Sequence, residues 1–274
     1  MKNKFKLNSN TLLVFILTTG VFGIINTEMG VIGILPLIAE NFQVTVPEAG
    51  WTVSIFALVV AISAPITPLL FSGINRKKVM ILALGLFTLS NIISMMTTNF
   101  TVLLISRALP AFLHPVYVSM AFTVAAASVS KEKAPKAVAK VFIGVSAGMV
   151  LGVPVTSYIA SEVSYSMGML FFTVVNALVL VATILFVPSM PVKEKLSYGT
   201  QLSVLKKKVV WYSILTITLI NGALFGFFSY MSDYLKTITG VSYTVISTML
   251  LIYGLANIIG NVIAGKQLAV NPVR

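Results

Sequence analysis

Eight long apolar stretches divide this sequence, and each could cross the hydrocarbon core of a bilayer as a helix of about 20 residues. Apolar runs of this length exceed a barrel strand and lack its alternation. Backbone polar groups in lipid must also be paired within their own segment. The sequence therefore predicts an all-α integral membrane protein with spans near 11–38, 50–71, 79–98, 100–127, 137–160, 167–187, 209–232 and 242–264.

The composition excludes a soluble domain and leaves few residues for catalysis. Hydrophobic residues make up 57% of the 274 residues and charged residues 9%, whereas a soluble domain has roughly 25% charged residues. Cysteine is absent, so disulfides and thiolate chemistry are excluded. One histidine and seven acidic residues are too few for a convincing metal site or acid–base pair. We therefore expect neither an enzyme nor a metal or cofactor site.

The basic residues are distributed unevenly between the two sides of the predicted helices. Of 19 lysines and arginines, 17 fall in the N-terminal segment, the loops after the second, fourth and sixth spans, and the C-terminal tail. The opposite loops contain a single base, Lys236, and Arg107 lies inside a span. The positive-inside rule places the 17 residues and the N-terminus in the cytoplasm.

The net charge of +12 is therefore a topology signal, and we expect no nucleic-acid partner. The predicted protein is a multi-pass protein of the cell (plasma) membrane. Its expected partners are the lipid bilayer, protons and a small-molecule substrate, and no protein partner is evident.

Two ionisable residues inside predicted spans are candidates for function, because a charge near mid-membrane costs several kcal/mol. Glu28 lies ~15 Å below the outer end of the first span and Arg107 ~10 Å below that of the fourth. The two side chains could therefore face one cavity. They either handle protons or substrate, or form a fixed ion pair that joins two helices.

His114 follows Arg107 by seven residues, which places it on nearly the same helix face and ~10 Å deeper. Pro110 and Pro115 flank it and should bend the fourth span, which would free backbone carbonyls. His114 either lines a cavity, where it binds substrate or relays protons, or is a neutral side chain bonded to a neighbouring helix.

Gly144, Gly148 and Gly152 follow each other at four-residue spacing in the fifth span and precede Pro154. Small residues at this spacing form a groove that lets another helix backbone approach closely. Ordinary membrane packing is sufficient to explain such a stripe.

Two further sets of side chains could line a polar path or contact an apolar substrate. The asparagines are equally explained by hydrogen bonds between helices, and the aromatic residues by contact with lipid. The asparagines are Asn26, Asn91, Asn176, Asn221, Asn257 and Asn261, and the aromatic residues are Phe225, Phe227, Phe228 and Tyr230.

Four stretches resemble the major facilitator superfamily, in its twelve-span drug/proton antiporter and sugar-efflux (arabinose-efflux-permease-like) branch. The stretch 28–36 looks like the acidic first-span segment that leads into Leu-Pro, and 106–114 looks like the fourth-span motif with its arginine. The stretch 148–154 resembles the fifth-span antiporter motif. Arg76, Lys77 and Lys78 resemble only the basic end of the loop between the second and third spans, where Ser72 stands at the acidic position and Pro68 at the leading glycine.

This resemblance implies a six-helix N-terminal bundle over 1–187, a basic cytoplasmic linker over 188–208, and the first two helices of an incomplete C-terminal bundle over 209–274. It also implies proton-driven export of small molecules, of drug or sugar type, as the two bundles rock around a central site. Glu28 and Arg107 would couple protons, with Glu28 as the acceptor. The expected substrate-cavity residues are Asn26, His114, Asn221 and Tyr230.

Four helices of a twelve-span transporter do not occur in this sequence. The chain is then either a piece of a longer gene product or a truncated form. The alternative function is a non-transporting membrane remnant that acts only through assembly with a partner. Four more apolar spans in the downstream reading frame would favour the transporter.

Reporter fusions test the predicted topology. A reporter fused at Ser197 should be cytoplasmic and one fused at Glu162 should be external, because basic residues are retained on the cytoplasmic side. Alkaline phosphatase and fluorescent-protein activities at the two sites provide the measurement. The opposite pattern would overturn the orientation.

Overall fold

The computed structural model describes residues 9–192 and 206–270, including their side chains except those of 9, 257, 258 and 260–270. Within these residues no strand occurs. Seven helical segments are long and apolar enough to cross a membrane: Asn10–Phe42, Val46–Ser63, Arg76–Met96, Phe100–Ala127, Lys131–Glu162, Tyr165–Phe186 and Lys208–Thr239. The eighth predicted span corresponds to the helix Tyr243–Val270. The all-α membrane fold is confirmed.

Some of the predicted features lie outside the described residues. They include the N-terminal lysines, most of the linker predicted at 188–208, the site of the Ser197 reporter, and the end of the tail. The side chains of Asn257, Asn261 and Lys266 are likewise outside the described part.

Proline and glycine interrupt three of the spans. The first consists of α-helix Ser9–Met29, a 3₁₀ segment Gly30–Ile34 and α-helix Leu35–Phe42. The second, expected near 50–71, has a main helix, Trp51–Ser63, that ends before Pro65, and a short helix Thr67–Leu70 follows. Proline cannot donate a backbone hydrogen bond, which explains the interruption.

The fourth span is also divided, as its prolines predict. Its two helices are Phe100–Ala111 and His114–Ala127, so the interruption lies at residues 112–113 between Pro110 and Pro115. His114 therefore begins the second of these helices. The fifth span, in contrast, contains the continuous α-helix Ala134–Glu162 despite Pro154.

The first span is the central helix of the bundle. It packs against the third, fourth, fifth and sixth spans. Val21, Ile24, Ile34 and Leu35 along it are fully buried. Neighbours on several sides explain why this span carries polar residues that lipid would not tolerate.

The glycine stripe of the fifth span is the surface against which the first span packs. A Cβ at Gly148 would lie 2.8 Å from Cβ of Ile25, and one at Gly152 would lie 3.3 Å from Cα of Asn26. A Cβ at Gly144 would collide with the carbonyl oxygen of Thr18. The two backbones therefore approach more closely than any larger side chain allows.

The seventh and eighth spans contact the six-helix unit near its predicted outer side. Ile246 and Leu250 form a buried cluster with Ile32 and Val153, and the Thr244 hydroxyl donates to Oε1 of Glu162 at 3.0 Å. Residues 211–224, toward the other end of the seventh span, are all exposed. The eighth span thus joins the two helix groups through its contacts with the first and fifth spans.

Replacing Gly148 tests the stripe. Gly148→Leu should separate the first and fifth spans and lower the thermal unfolding temperature by about 5 °C or more, because overpacking costs about 1–3 kcal/mol. In the full-length protein it should also abolish transport. Leu151→Met, at a side chain 41% exposed on the same helix, is the matched control and should change neither. Equal tolerance at both positions would show that the stripe is not an interface.

Candidate functional site

Arg107 is buried, and its guanidinium binds backbone carbonyls from two other spans. Nη1 donates to the Thr27 carbonyl at 2.7 Å, Nη2 to the Glu28 carbonyl at 3.2 Å, and Nε to the Thr52 carbonyl at 3.2 Å. Cζ lies 4.9 Å from the centre of the Phe56 ring, which adds a cation–π contact. Arg107 therefore joins the fourth span to the first and the second.

Glu28 meets Arg107 through its backbone, whereas its carboxylate faces His114. Oε2 of Glu28 lies 3.1 Å from Nε2 of His114, and the two side chains are 19% and 12% exposed. The fixed ion pair, which was one of the two alternatives for Glu28 and Arg107, is therefore not formed between the carboxylate and the guanidinium. The physical reason is the change from α to 3₁₀ helix after Met29, since carbonyls at such a junction have spare acceptor capacity for the arginine fork.

The contact between Glu28 and His114 depends on protonation. Among the described residues, neither ring nitrogen of His114 makes an aligned hydrogen bond. The 3.1 Å approach is therefore chiefly ionic, and it is attractive when His114 is protonated and Glu28 is not. The ring of Phe56 lies edge-on to His114 at 5.9 Å.

Thr27 is a central polar residue that the sequence alone does not indicate. Its hydroxyl donates to the Gly23 carbonyl at 2.9 Å and accepts from Nδ2 of Asn176 at 2.9 Å and from Nδ2 of Asn91 at 3.3 Å. Asn91 and Asn176 thus bond between helices. An uncharged threonine in an apolar helix does not by itself indicate a functional role. Only its position next to Glu28 in the sequence pointed to one.

The structure places Asn26 and Tyr230 away from the Glu28–His114 contact. Asn26 is fully buried against the glycine stripe, where a Cβ at Gly152 would lie 2.8 Å from its Oδ1. Neither amide atom of Asn26 has a hydrogen-bond partner in the described part of the chain. The Tyr230 hydroxyl lies beside Gly50, near the start of the second span.

A cavity of about 180 Å³ lies between the first, fifth, seventh and eighth spans. Among the described residues, the polar side chains in its wall are Asn221, Ser146 and Tyr253, the last through its hydroxyl. Of the four expected cavity residues, Asn221 therefore lines it, while Asn26, His114 and Tyr230 do not. The remaining wall is apolar and partly aromatic, and it includes Met29, Phe142, Met149, Phe225 and Phe228. The rings of Phe228 and Tyr253 stack with centroids 5.0 Å apart.

The basic loop between the second and third spans is fastened to the end of the sixth. Nζ of Lys77 donates to the Ile184 carbonyl at 2.8 Å, and the backbone N–H of Arg76 donates to the Met190 carbonyl at 3.1 Å. Asn75 Nδ2 donates to the Ser189 hydroxyl at 2.7 Å. This loop therefore holds the start of the segment that follows the sixth span.

Broken spans, ionisable side chains at the breaks and a cavity between two helix groups are typical of membrane transporters. The family model of the Major Facilitator Superfamily matches residues 13–269. The chain belongs to the Major Facilitator Superfamily, whose members are transporters and not enzymes.

Curated relatives agree with this assignment. The chain is 31% identical over 250 residues to the inner membrane transport protein YdhP of Escherichia coli. The matched region covers 91% of this chain and 64% of YdhP. It is also 32% identical over 271 residues to the MFS-type transporter YtbD of Bacillus subtilis. That matched region covers 97% of this chain and 67% of YtbD. The chain thus spans slightly less than two thirds of YdhP.

Solved structures show the same fold. A bacterial homologue of the human lysosomal transporter Spinster, in an inward-facing and unoccupied conformation, matches with a TM-score of 0.71 and 16% identity, over 91% of this chain and 59% of that one. The human organic anion transporter MFSD10 matches with a TM-score of 0.64 and 16% identity, over 90% of this chain and 70% of that one. At such identities the likeness concerns the fold alone.

Arg107→Lys tests the role of the arginine fork. Lysine keeps the charge but lacks the planar set of donors, so it cannot reproduce all three carbonyl contacts, and each hydrogen bond to a charged group contributes about 1.5–3 kcal/mol. We expect the thermal unfolding temperature to fall by about 5 °C or more. Arg76→Lys, the same exchange at the first residue of the third span, should have no effect. An unchanged unfolding temperature for Arg107→Lys would exclude a positioning role.

Proposed function

We propose that this chain carries the proton-binding site and part of the substrate cavity of a proton-coupled exporter of small molecules. The observation that supports the proposal is the 3.1 Å approach of the Glu28 carboxylate to His114 within the membrane-spanning region. Both side chains can carry a proton, and an intramembrane ionisable pair is costly unless it has a role.

Glu28 is the proton acceptor in this proposal. A proton on Glu28 removes the attraction to a protonated His114, and so changes the relative stability of arrangements in which the two side chains are close or apart. Arg107 acts through position, because its bonds to the Thr27 and Glu28 carbonyls hold the backbone from which the carboxylate projects. One charge moving down 100 mV releases about 2.3 kcal/mol, which is adequate for uphill transport.

The wall of the cavity favours a substrate of drug type over a sugar. A sugar needs many hydrogen-bonding partners, whereas this wall has Asn221, Ser146 and the Tyr253 hydroxyl among mainly apolar and aromatic neighbours. Such a surface suits a compound with a flat apolar body and one or two polar groups. Export as the direction of transport rests on the resemblance of residues 148–154 to the fifth-span antiporter motif.

Glu28→Gln tests proton coupling. If proton and substrate compete at Glu28, substrate affinity must rise with pH, and each ligand must weaken the other equally. Glutamine fixes the neutral form, so the pH dependence of binding and uphill transport should both disappear, while downhill exchange survives. The measurement uses the full-length protein in proteoliposomes with an imposed pH gradient and ethidium as a flat aromatic probe. Glu40→Gln, at the exposed outer end of the same span, is the matched control and should behave as wild type.

Two outcomes would contradict the proposal. Uphill accumulation by Glu28→Gln at the wild-type rate would make the carboxylate structural. Failure of the full-length wild-type protein to move protons or ethidium would favour the alternative, in which the protein acts only through assembly with a partner. His114→Gln, which keeps a donor but cannot take up a proton, separates the contributions of the two residues.

A further inference from the structure

A groove of about 350 Å³ lies where the first, fourth and fifth spans begin or end on the side that the basic loops predict to be cytoplasmic. No part of the proposed transport mechanism uses it. The groove is lined by Asn10, Thr11, Val14, Val129, Lys133, Lys136, Ala137 and Lys140. The Thr18 hydroxyl, which donates to the Lys140 carbonyl at 3.2 Å, ties the first span to the fifth just beyond it.

The three lysines form a concentrated positive charge. Their spacing of three and four residues at the start of the fifth span puts them on one helix face. All three are exposed, and no carboxylate of the described residues lies within ion-pair distance of them. Their charge is therefore available to a ligand.

Apolar surface continues from this groove into the membrane. Val14 and Ala137 within it are 6% and 5% exposed. One helical turn beyond Thr11 lies Phe15, and one turn beyond Lys140 lies Ile143, each 62% exposed. The surface is thus basic at the membrane edge and apolar beneath it, which is the pattern of an amphiphile rather than of a free anion.

We propose that this groove binds the headgroup of an anionic phospholipid of the inner leaflet. The ammonium groups of Lys133, Lys136 and Lys140 contact the phosphate, and the first turn of the first span offers Asn10 and Thr11 to the polar groups beside it. Acyl chains lie along Phe15 and Ile143. Basic pockets between membrane helices on the cytoplasmic side suit such headgroups, and each lysine near the surface strengthens the attraction.

Lipid retention in detergent tests the site without any transport assay. Native mass spectrometry of the purified chain, titrated with phosphatidylglycerol or phosphatidylcholine, provides apparent dissociation constants. Wild type should retain phosphatidylglycerol and not phosphatidylcholine. The triple variant Lys133→Gln, Lys136→Gln and Lys140→Gln should bind phosphatidylglycerol on the order of a hundredfold more weakly. The control, Lys206→Gln, Lys207→Gln and Lys208→Gln, removes the same charge from exposed positions at the start of the seventh span and should bind as wild type.

Three results would overturn the assignment. Equal weakening by both triple variants would mean general electrostatic attraction, and equal retention of phosphatidylcholine would mean that no anionic headgroup is selected. Displacement of the lipid by millimolar inorganic phosphate would identify a free-anion site. Circular dichroism shows that each variant is folded, and since the substituted lysines are exposed, their loss should leave the helical signal unchanged.

Discussion

The contacts of Arg107 with three backbone carbonyls are the interaction on which the arrangement of the N-terminal spans depends. A helix that changes from α to 3₁₀ inside a membrane needs donors for carbonyls at the change, because lipid offers none. The guanidinium supplies three from another helix and brings its charge close to the electronegative ends of three peptide groups. It thereby provides hydrogen-bond donors for carbonyls at the break in the first span, and it orients the fourth and second spans around that break.

In this arrangement the backbone of Glu28 and its carboxylate have different partners. Arg107 binds the backbone carbonyl of Glu28, whereas the Glu28 carboxylate faces His114. His114 begins the second helix of the broken fourth span. Two interrupted helices therefore meet at one ionisable contact. Thr27, one residue earlier, adds hydrogen bonds to the third and sixth spans, so the backbone at Glu28 is held from several sides while its side chain remains partly exposed.

Close backbone packing surrounds this polar centre. The glycines of the fifth span let the first span approach along successive turns, and dispersion contacts over that length stabilise the pair where the hydrophobic effect cannot. The seventh and eighth spans are attached differently, through the cluster around Ile246 and through Thr244 at one end. The cavity lined by Asn221 lies between the closely packed first and fifth spans on one side and the seventh and eighth spans on the other.

The amino-acid sequence by itself determined the local features of this protein. Apolar length predicted the spans, Pro110 and Pro115 predicted the break in the fourth, and the cost of buried charge singled out Glu28 and Arg107. These properties depend on neighbouring residues along one helix. Tertiary structure alone decided that the Glu28 carboxylate meets His114, that Asn26 packs on the glycine stripe, and that Thr27 bonds to two further spans. Such contacts depend on how far each helix is rotated and shifted against its neighbours. Rotating a helix about its axis by a few tens of degrees changes which side chain faces the neighbouring helix. Helical periodicity carries no information about that rotation.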